Sequence, residues 1–374
     1  MDLAELALGL LETGQVEARN GTVSIVAVVN GRGGRASVTD PDEDGLARAV
    51  RKAVLQAKRA TAWPVPPLPP ASTTRGTVSG RDQGAWPLDP GLRWATWHRV
   101  EDAVAIASTT GVRAEETRAF GHGTITAGDA VRAISVAVTS AGGTGSDPVG
   151  EAVSSALALS GAGPATPLAP HVPTAMVTAP DGALVLGPDA LAHLLLAVRS
   201  TFGVDLALDP SRVGERIAAP GVDIADAPAL STFDAEGTER QRVALVEDGI
   251  LRRGVHDAAS AAQAGTHSTG HSTLALTLAP QANGLTVEGG TSESIDDLID
   301  HAQNGLYVPA LVRNGQRLET RGAAAIAGGR LIGGVADGPL RRDAALTAIR
   351  AMTVARRTVP IGDGAFLLPA VLIG

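Results

Sequence analysis

The stretch Thr22-Val23-Ser24-Ile25-Val26-Ala27-Val28-Val29-Asn30-Gly31-Arg32-Gly33-Gly34-Arg35-Ala36-Ser37-Val38-Thr39, followed by Asp40-Pro41-Asp42-Glu43, sets the fold class. A β-branched run ends at Asn-Gly, the dipeptide that most readily accepts the positive φ angles of a tight hairpin turn, and a second strand returns over Arg35 to Thr39. The next segment opens a helix. Asp40 is placed to cap it, Pro41 fits a first turn where a missing N–H costs nothing, and Leu46, Val50, Val54 and Ala57 recur at helical spacing over about 42–60. A β-hairpin laid on an amphipathic helix is an α+β beginning.

Outward from this unit, residues 3–12 have helical spacing through Leu3, Leu6 and Leu10. The prolines of 63–70 exclude helix and inner strand and predict an extended connector. Val104 to Ser108, Thr124 to Thr126 and Ala133 to Thr139 predict antiparallel strands, separated by Thr110-Gly111 and Gly121-His122-Gly123, and 148–160 predicts a helix. Gly and Pro crowd 161–173, so the expected division is an amino-terminal α+β domain over 1–165 and a carboxyl-terminal domain over 166–374. In the latter, strands at 175–177, 183–186, 242–247, 250–256, 274–278, 284–288, 323–326 and 330–335 alternate with turns such as Asp248-Gly249 and Gly328-Gly329, which predicts an antiparallel, barrel-like arrangement. Helices are expected at 187–201 and 294–303.

The 374 residues contain no cysteine, which removes disulfides, thiolate nucleophiles and thiolate metal sites together. A formal charge of −8 argues against a grip on a phosphate backbone, so no nucleic-acid partner is expected. Asp2 and Glu5 stand where a signal peptide carries basic residues, and no uncharged apolar run approaches the roughly 20 residues of a bilayer span, so a cytoplasmic protein with no membrane partner is expected.

Three places have chemistry to weigh. His267 and His271 are four apart, but Ser268-Thr269-Gly270 between them makes a poor helix; the alternative to a metal pair is a loop whose small residues admit another chain close to its backbone. Asp234 and Glu236 have a spacing that lets two carboxyls share a proton or an ion, against the plainer reading of an acidic turn before a hairpin. In 187–201 a single histidine, His193, stands among leucines, and one imidazole cannot close a zinc site.

Phe233-Asp234-Ala235-Glu236-Gly237-Thr238 followed by Val246-Glu247-Asp248-Gly249-Ile250-Leu251, then Asp257 to Ala262 with Gly265-Thr266-His267-Ser268-Thr269-Gly270-His271, and then Ser294 to Ile299 with Gly305-Leu306-Tyr307-Val308, resemble in order and spacing the TldD/PmbA metalloprotease family. The hairpin at 29–39 and residues 106–118 are similar to its amino-half motifs. The resemblance implies that the helix at 187–201 is where catalytic TldD-like subunits carry His-Glu-x-x-x-His, and those subunits also use a cysteine near their end. This chain departs on both counts, which is similar to the PmbA/TldE branch. The resemblance therefore implies no catalytic residue and no cofactor in this chain, zinc in a TldD-like partner subunit of a heterodimer, and an unfolded peptide as the ligand. Gly265, Thr266, His267, Thr269, Gly270 and His271 are the peptide-binding candidates. A stand-alone peptide-binding or natural-product biosynthetic homologue without hydrolytic activity is the alternative.

Overall fold

Two Asn-Gly dipeptides organise the amino half. Asn20 and Gly21 have φ of 47° and 76°, Asn30 and Gly31 of 51° and 71°, the mirror-image turn whose twist suits the flanking strands. They join β1 (Gly14–Arg19), β2 (Thr22–Val29) and β3 (Arg32–Thr39) into a meander. No expectation covered β1, although Asn20-Gly21 is the same signal as Asn30-Gly31. The computed structural model describes residues 2–59, 63–66, 68–79, 92–128, 133–139, 182–228, 230–314, 317–335, 338–340, 346–354, 356–361 and 364–374. The helix expected at 148–160, the boundary at 161–173 and the strand at 175–177 lie outside the described residues.

Helix α1 spans Asp2–Leu8 and α2 spans Glu43–Ala57. The cap of α2 is Asp42, whose Oδ1 accepts the Gly45 amide at 2.7 Å, and not Asp40. Asp40 instead takes a left-handed φ of 44° where the chain leaves β3. Leu46, Ala49, Val50 and Ala53 then pack on Val23, Ile25, Ala27 and Ala36. Gly34 is required here, because a Cβ would meet the Ala53 carbonyl at 2.1 Å and lift the helix off the sheet.

The sheet continues through β4 (Trp63–Pro64), β5 (Thr73–Ser79), β6 (Leu92–Ser108), β7 (Arg113–Gly128) and β8 (Ala133–Thr139), in the order β4-β3-β2-β1-β6-β7-β5 with β8 also on β7. The expected proline connector thus contributes an edge strand, the position that tolerates a missing N–H. Gly121-His122-Gly123 does not break β7. Ladders to Arg99, His98 and Trp97 of β6 and to Thr139 and Val138 of β8 hold the segment extended.

Among the described residues the carboxyl half has two six-stranded sheets. One runs 250–251, 243–247, 223–226, 285–288, 364–368, 357–361; the other runs 330–334, 324–327, 304–308, 183–186, 371–373, 349–352. The pairings are mostly antiparallel, with parallel joins at 285–288/364–368 and 304–308/183–186. Leu186, Phe202, Ile224, Leu245, Phe366 and Val371 form one core across both sheets, together with Leu191 and Leu195 of α3 (Pro188–Val198). By length and composition 188–208 is apolar enough to cross a bilayer, but it is divided into α3, a 3-10 turn and a one-turn helix. Helices α4 (Ala258–Ala264) and α5 (Ile295–Ala302) start at Asp257 and Ser294, each closing a reciprocal capping box. The strand expected at 274–278 is a turn-rich loop, with fully buried Leu276 at a φ of 57°.

Candidate functional site

The Asp-x-Glu-Gly passage is the joint between the two halves. Asp234 Oδ1 accepts the amides of Glu236 at 2.9 Å and Thr238 at 3.0 Å, and its Oδ2 accepts the Ser272 amide at 2.8 Å. One carboxylate thereby closes the turn and ties it to the 271–273 segment. Gly237 has a φ of 77°, and a Cβ there would meet Val112 Cγ1 at 2.7 Å, so glycine lets the turn rest on the β6–β7 hairpin. Phe233 enters the small cluster of Val104, Ile106 and Ala114.

Polar contacts complete this joint. Buried Glu116 of β7 takes the Thr232 amide, the Thr232 hydroxyl at 2.6 Å and the Arg118 guanidinium. Gln15 of β1 donates to the Ala235 carbonyl at 2.6 Å, and Arg35 of β3 donates to the Ala275 carbonyl at 3.1 Å. None of these residues was singled out in the sequence. The only local hint is the alternation of Glu116 and Arg118 on one face of a strand.

Asp234 and Glu236 do not share a proton or an ion through facing oxygens. Burial raises the Asp234 carboxyl against three backbone donors and Arg240, which act the other way. Glu236 is fully buried; its Oε2 accepts the Ala258 amide at 3.0 Å while Oε1 has no hydrogen-bond partner. Burial first, then the charges of Asp234 and Asp257, push Glu236 up to about 8, with the Ala258 and Leu276 amides opposing. At neutral pH it is a protonated acid.

The 265–271 loop divides. His271 is fully buried, with Nε2 2.9 Å from Asp226 Oδ1 and Nδ1 2.9 Å from Thr269 Oγ1. Asp226 Oδ2 in turn accepts the Gly284 amide at 2.9 Å, and Thr269 Oγ1 accepts the His256 amide at 2.8 Å. His267 is exposed. The two imidazoles therefore do not converge on one ion. The chain that approaches the loop closely is the protein's own: at Gly270, φ 73°, a Cβ would lie 2.2 Å from the Glu239 carbonyl. Gly265, φ 64°, ends α4 as its left-handed cap and, with Thr266 and His267, stands at the surface.

Helix α3 is packed as core. Pro188 occupies its first turn, Asp189 pairs with Arg357 from the neighbouring sheet, and Leu191, Leu194 and Leu195 are buried. His193 is half-buried, burial lowers its pKa, and its Nδ1 has no hydrogen-bond partner. No group of three or more His, Asp or Glu side chains suited to a metal ion occurs among the described residues.

A cavity of about 450 Å³ opens between β1, β6 and β7 on one side and residues 230–240, 272–273, Asn283 and Pro360 on the other. A smaller pocket of about 240 Å³ adjoins it across Glu17, Ala235 and Thr273 and reaches Gln15 and Arg35.

An α+β protein with a strand-rich carboxyl half, an acidic turn clamping two halves and a cleft beside that turn is the class that fold and site define. Residues 182–348 match the family model described as the PmbA/TldA metallopeptidase C-terminal domain. A protein named metalloprotease from Methanothermobacter thermautotrophicus is 31% identical over 141 residues, a stretch covering 36% of this chain and 30% of that relative. The fold is similar to that of TldE from Thermococcus kodakarensis, with a TM-score of 0.68 and 16% identity over 100% of this chain and 98% of that one. It is also similar to a solved structure from Thermotoga maritima, with a TM-score of 0.66 and 14% identity over 96% and 92% of the two chains.

Proposed function

We propose that this chain is a non-catalytic, TldE/PmbA-like subunit that pairs with a TldD-type zinc metalloprotease and holds an unfolded peptide while the partner cuts it. The observation that carries this reading is α3. Where the family resemblance puts the zinc ligands of catalytic members, this helix turns leucines into the core, joins Asp189 to Arg357 and keeps one imidazole. A zinc site needs three or four donors on a shared centre, and among the described residues His193 belongs to no group of three such side chains. The cleft beside the Asp-x-Glu-Gly turn is the place for the peptide, with the exposed Gly265-Thr266-His267 face of the loop as a second contact.

Metal analysis and co-expression test the two parts separately. The purified chain should carry far less than stoichiometric zinc, and a TldD-type protein bearing His-Glu-x-x-x-His should co-purify with it and cleave an unfolded peptide faster in its presence. Stoichiometric, chelator-resistant zinc overturns the non-catalytic assignment. A TldD-type partner that neither binds nor gains activity overturns the subunit role.

A further inference from the structure

The 450 Å³ cavity has three arginines on its wall, Arg19, Arg118 and Arg240, and they are not equivalent. Arg19 pairs with Asp102, and Arg118 with Glu116 and Asp102. Arg240 makes only a 3.4 Å bond from Nε to the Phe233 carbonyl, and among the described residues its two terminal amino groups have no partner. Of the acids on this wall, Glu17 attracts Arg35 in the adjoining pocket. Asp234 has both oxygens occupied by amides of its own turn and of Ser272. Among the described residues Arg240 is thus the arginine of the three with no carboxylate in ion-pair contact. The apolar part of the lining is made by Val100, Val104 and Phe120 of β6 and β7, with Phe233 on Arg240's own side.

We infer that this cavity takes the C-terminal carboxylate of a peptide on Arg240, with the terminal side chain, an apolar one, against Val100, Val104, Phe120 and Phe233. A guanidinium fork matches a carboxylate in two parallel bonds, and a single arginine free of ion-pair contact, in a cavity that Glu17 and Asp234 also line, suits a monoanion better than a doubly charged phosphate. Asn283 supplies a further feature. It is 8% exposed, lines the cavity, and its Oδ1 has no donor; the last amide N–H of a peptide is the kind of group it lacks, and a simple fatty acid does not carry one.

This assignment rests on the peptide-holding role, so the experiment separates the two. Binding of a short labelled peptide ending in leucine is measured by fluorescence anisotropy on the full chain, beside the same peptide C-terminally amidated, an amidated peptide with an internal glutamate, and hexanoate as competitor. Amidation and Arg240→Gln should each weaken binding by about tenfold or more, the loss expected for one charge-assisted contact. Amidation should have no further effect on Arg240→Gln, and Arg240→Lys should fall between. Equal binding of either amidated peptide, indifference to Arg240→Gln, or hexanoate competing as strongly as the peptide overturns the terminus assignment and leaves peptide holding intact. If no peptide binds the wild-type chain, peptide holding and the terminus assignment both fail.

Discussion

Glu236 has one oxygen on the Ala258 amide, none on the other, and two acids for neighbours. Its charged form is therefore penalised by lost hydration and by repulsion together. The consequence for stability has a definite sign. The folded pKa of about 8 lies above the ordinary 4.5, so below the ordinary value both folded and unfolded chains hold the proton and no penalty arises. Between the two values the folded chain keeps a proton that the unfolded chain releases, and stability falls as pH rises until it levels above the folded value. Glu236→Gln, which keeps the shape and the neutral state, should flatten that fall. Urea midpoints at pH 5 and 8.5 measure it: the wild type should lose stability across this interval and the variant distinctly less. Parallel losses in the two proteins would mean that Glu236 is not the titrating group.

At the scale of an element, α3 is held by an ion pair that is almost out of water, with the side chains of Asp189 and Arg357 12% and 13% exposed. Removing one partner of such a pair leaves the other desolvated, whereas replacing both by apolar groups of similar volume is often close to neutral. Asp189→Ala should therefore cost on the order of 2 kcal/mol in urea unfolding, and Asp189→Leu combined with Arg357→Met should recover more than half of that loss. A double variant no better than the single one would show that the pair fixes the helix in a way apolar packing cannot. How far elements were legible in the sequence follows the same physics. Turns with their own chemistry, Asn30-Gly31, Asp248-Gly249 and Gly328-Gly329, came out where expected because the backbone preference is local. So did 183–186, whose last three residues are buried. Failures occur where partners far along the chain decide: the glycines at 121 and 123 sit in a strand because β6 and β8 flank it. Leu276 gives up an extended conformation with its side chain fully buried. The site was legible only as motifs. Asp234 and Glu236 could be named, but Glu116, Arg118, Arg240 and Asp226 meet them, or the loop they brace, only after folding.

For the molecule as a whole, the joint between the halves concentrates on Glu116. Its carboxylate receives a backbone amide, a hydroxyl and a guanidinium, two of them from Thr232 across the joint. Gln15 and Arg35 add one hydrogen bond each at the other side of the cleft, whereas Asp234 ties the turn only to itself and to Ser272. Glu116→Ala strands the half-buried Thr232 N–H and leaves Arg118 with the Ser231 hydroxyl and the more distant Asp102, losses worth about 1–3 kcal/mol for each unsatisfied group. The cost should be local to the joint, because the core of the two carboxyl-terminal sheets does not include it. Hydrogen exchange on the variant should then lose protection at residues 230–240 and along 113–118, while 183–186 and 243–247 keep theirs, since local opening draws on local contacts. Binding of a peptide in the cleft should weaken with it, even though Glu116 carries the same charge sign as the proposed ligand and its removal would favour an anion on electrostatics alone. The opposite outcome, tighter binding with protection unchanged at 230–240, would make Glu116 a source of repulsion and not the clamp that keeps the cavity in shape.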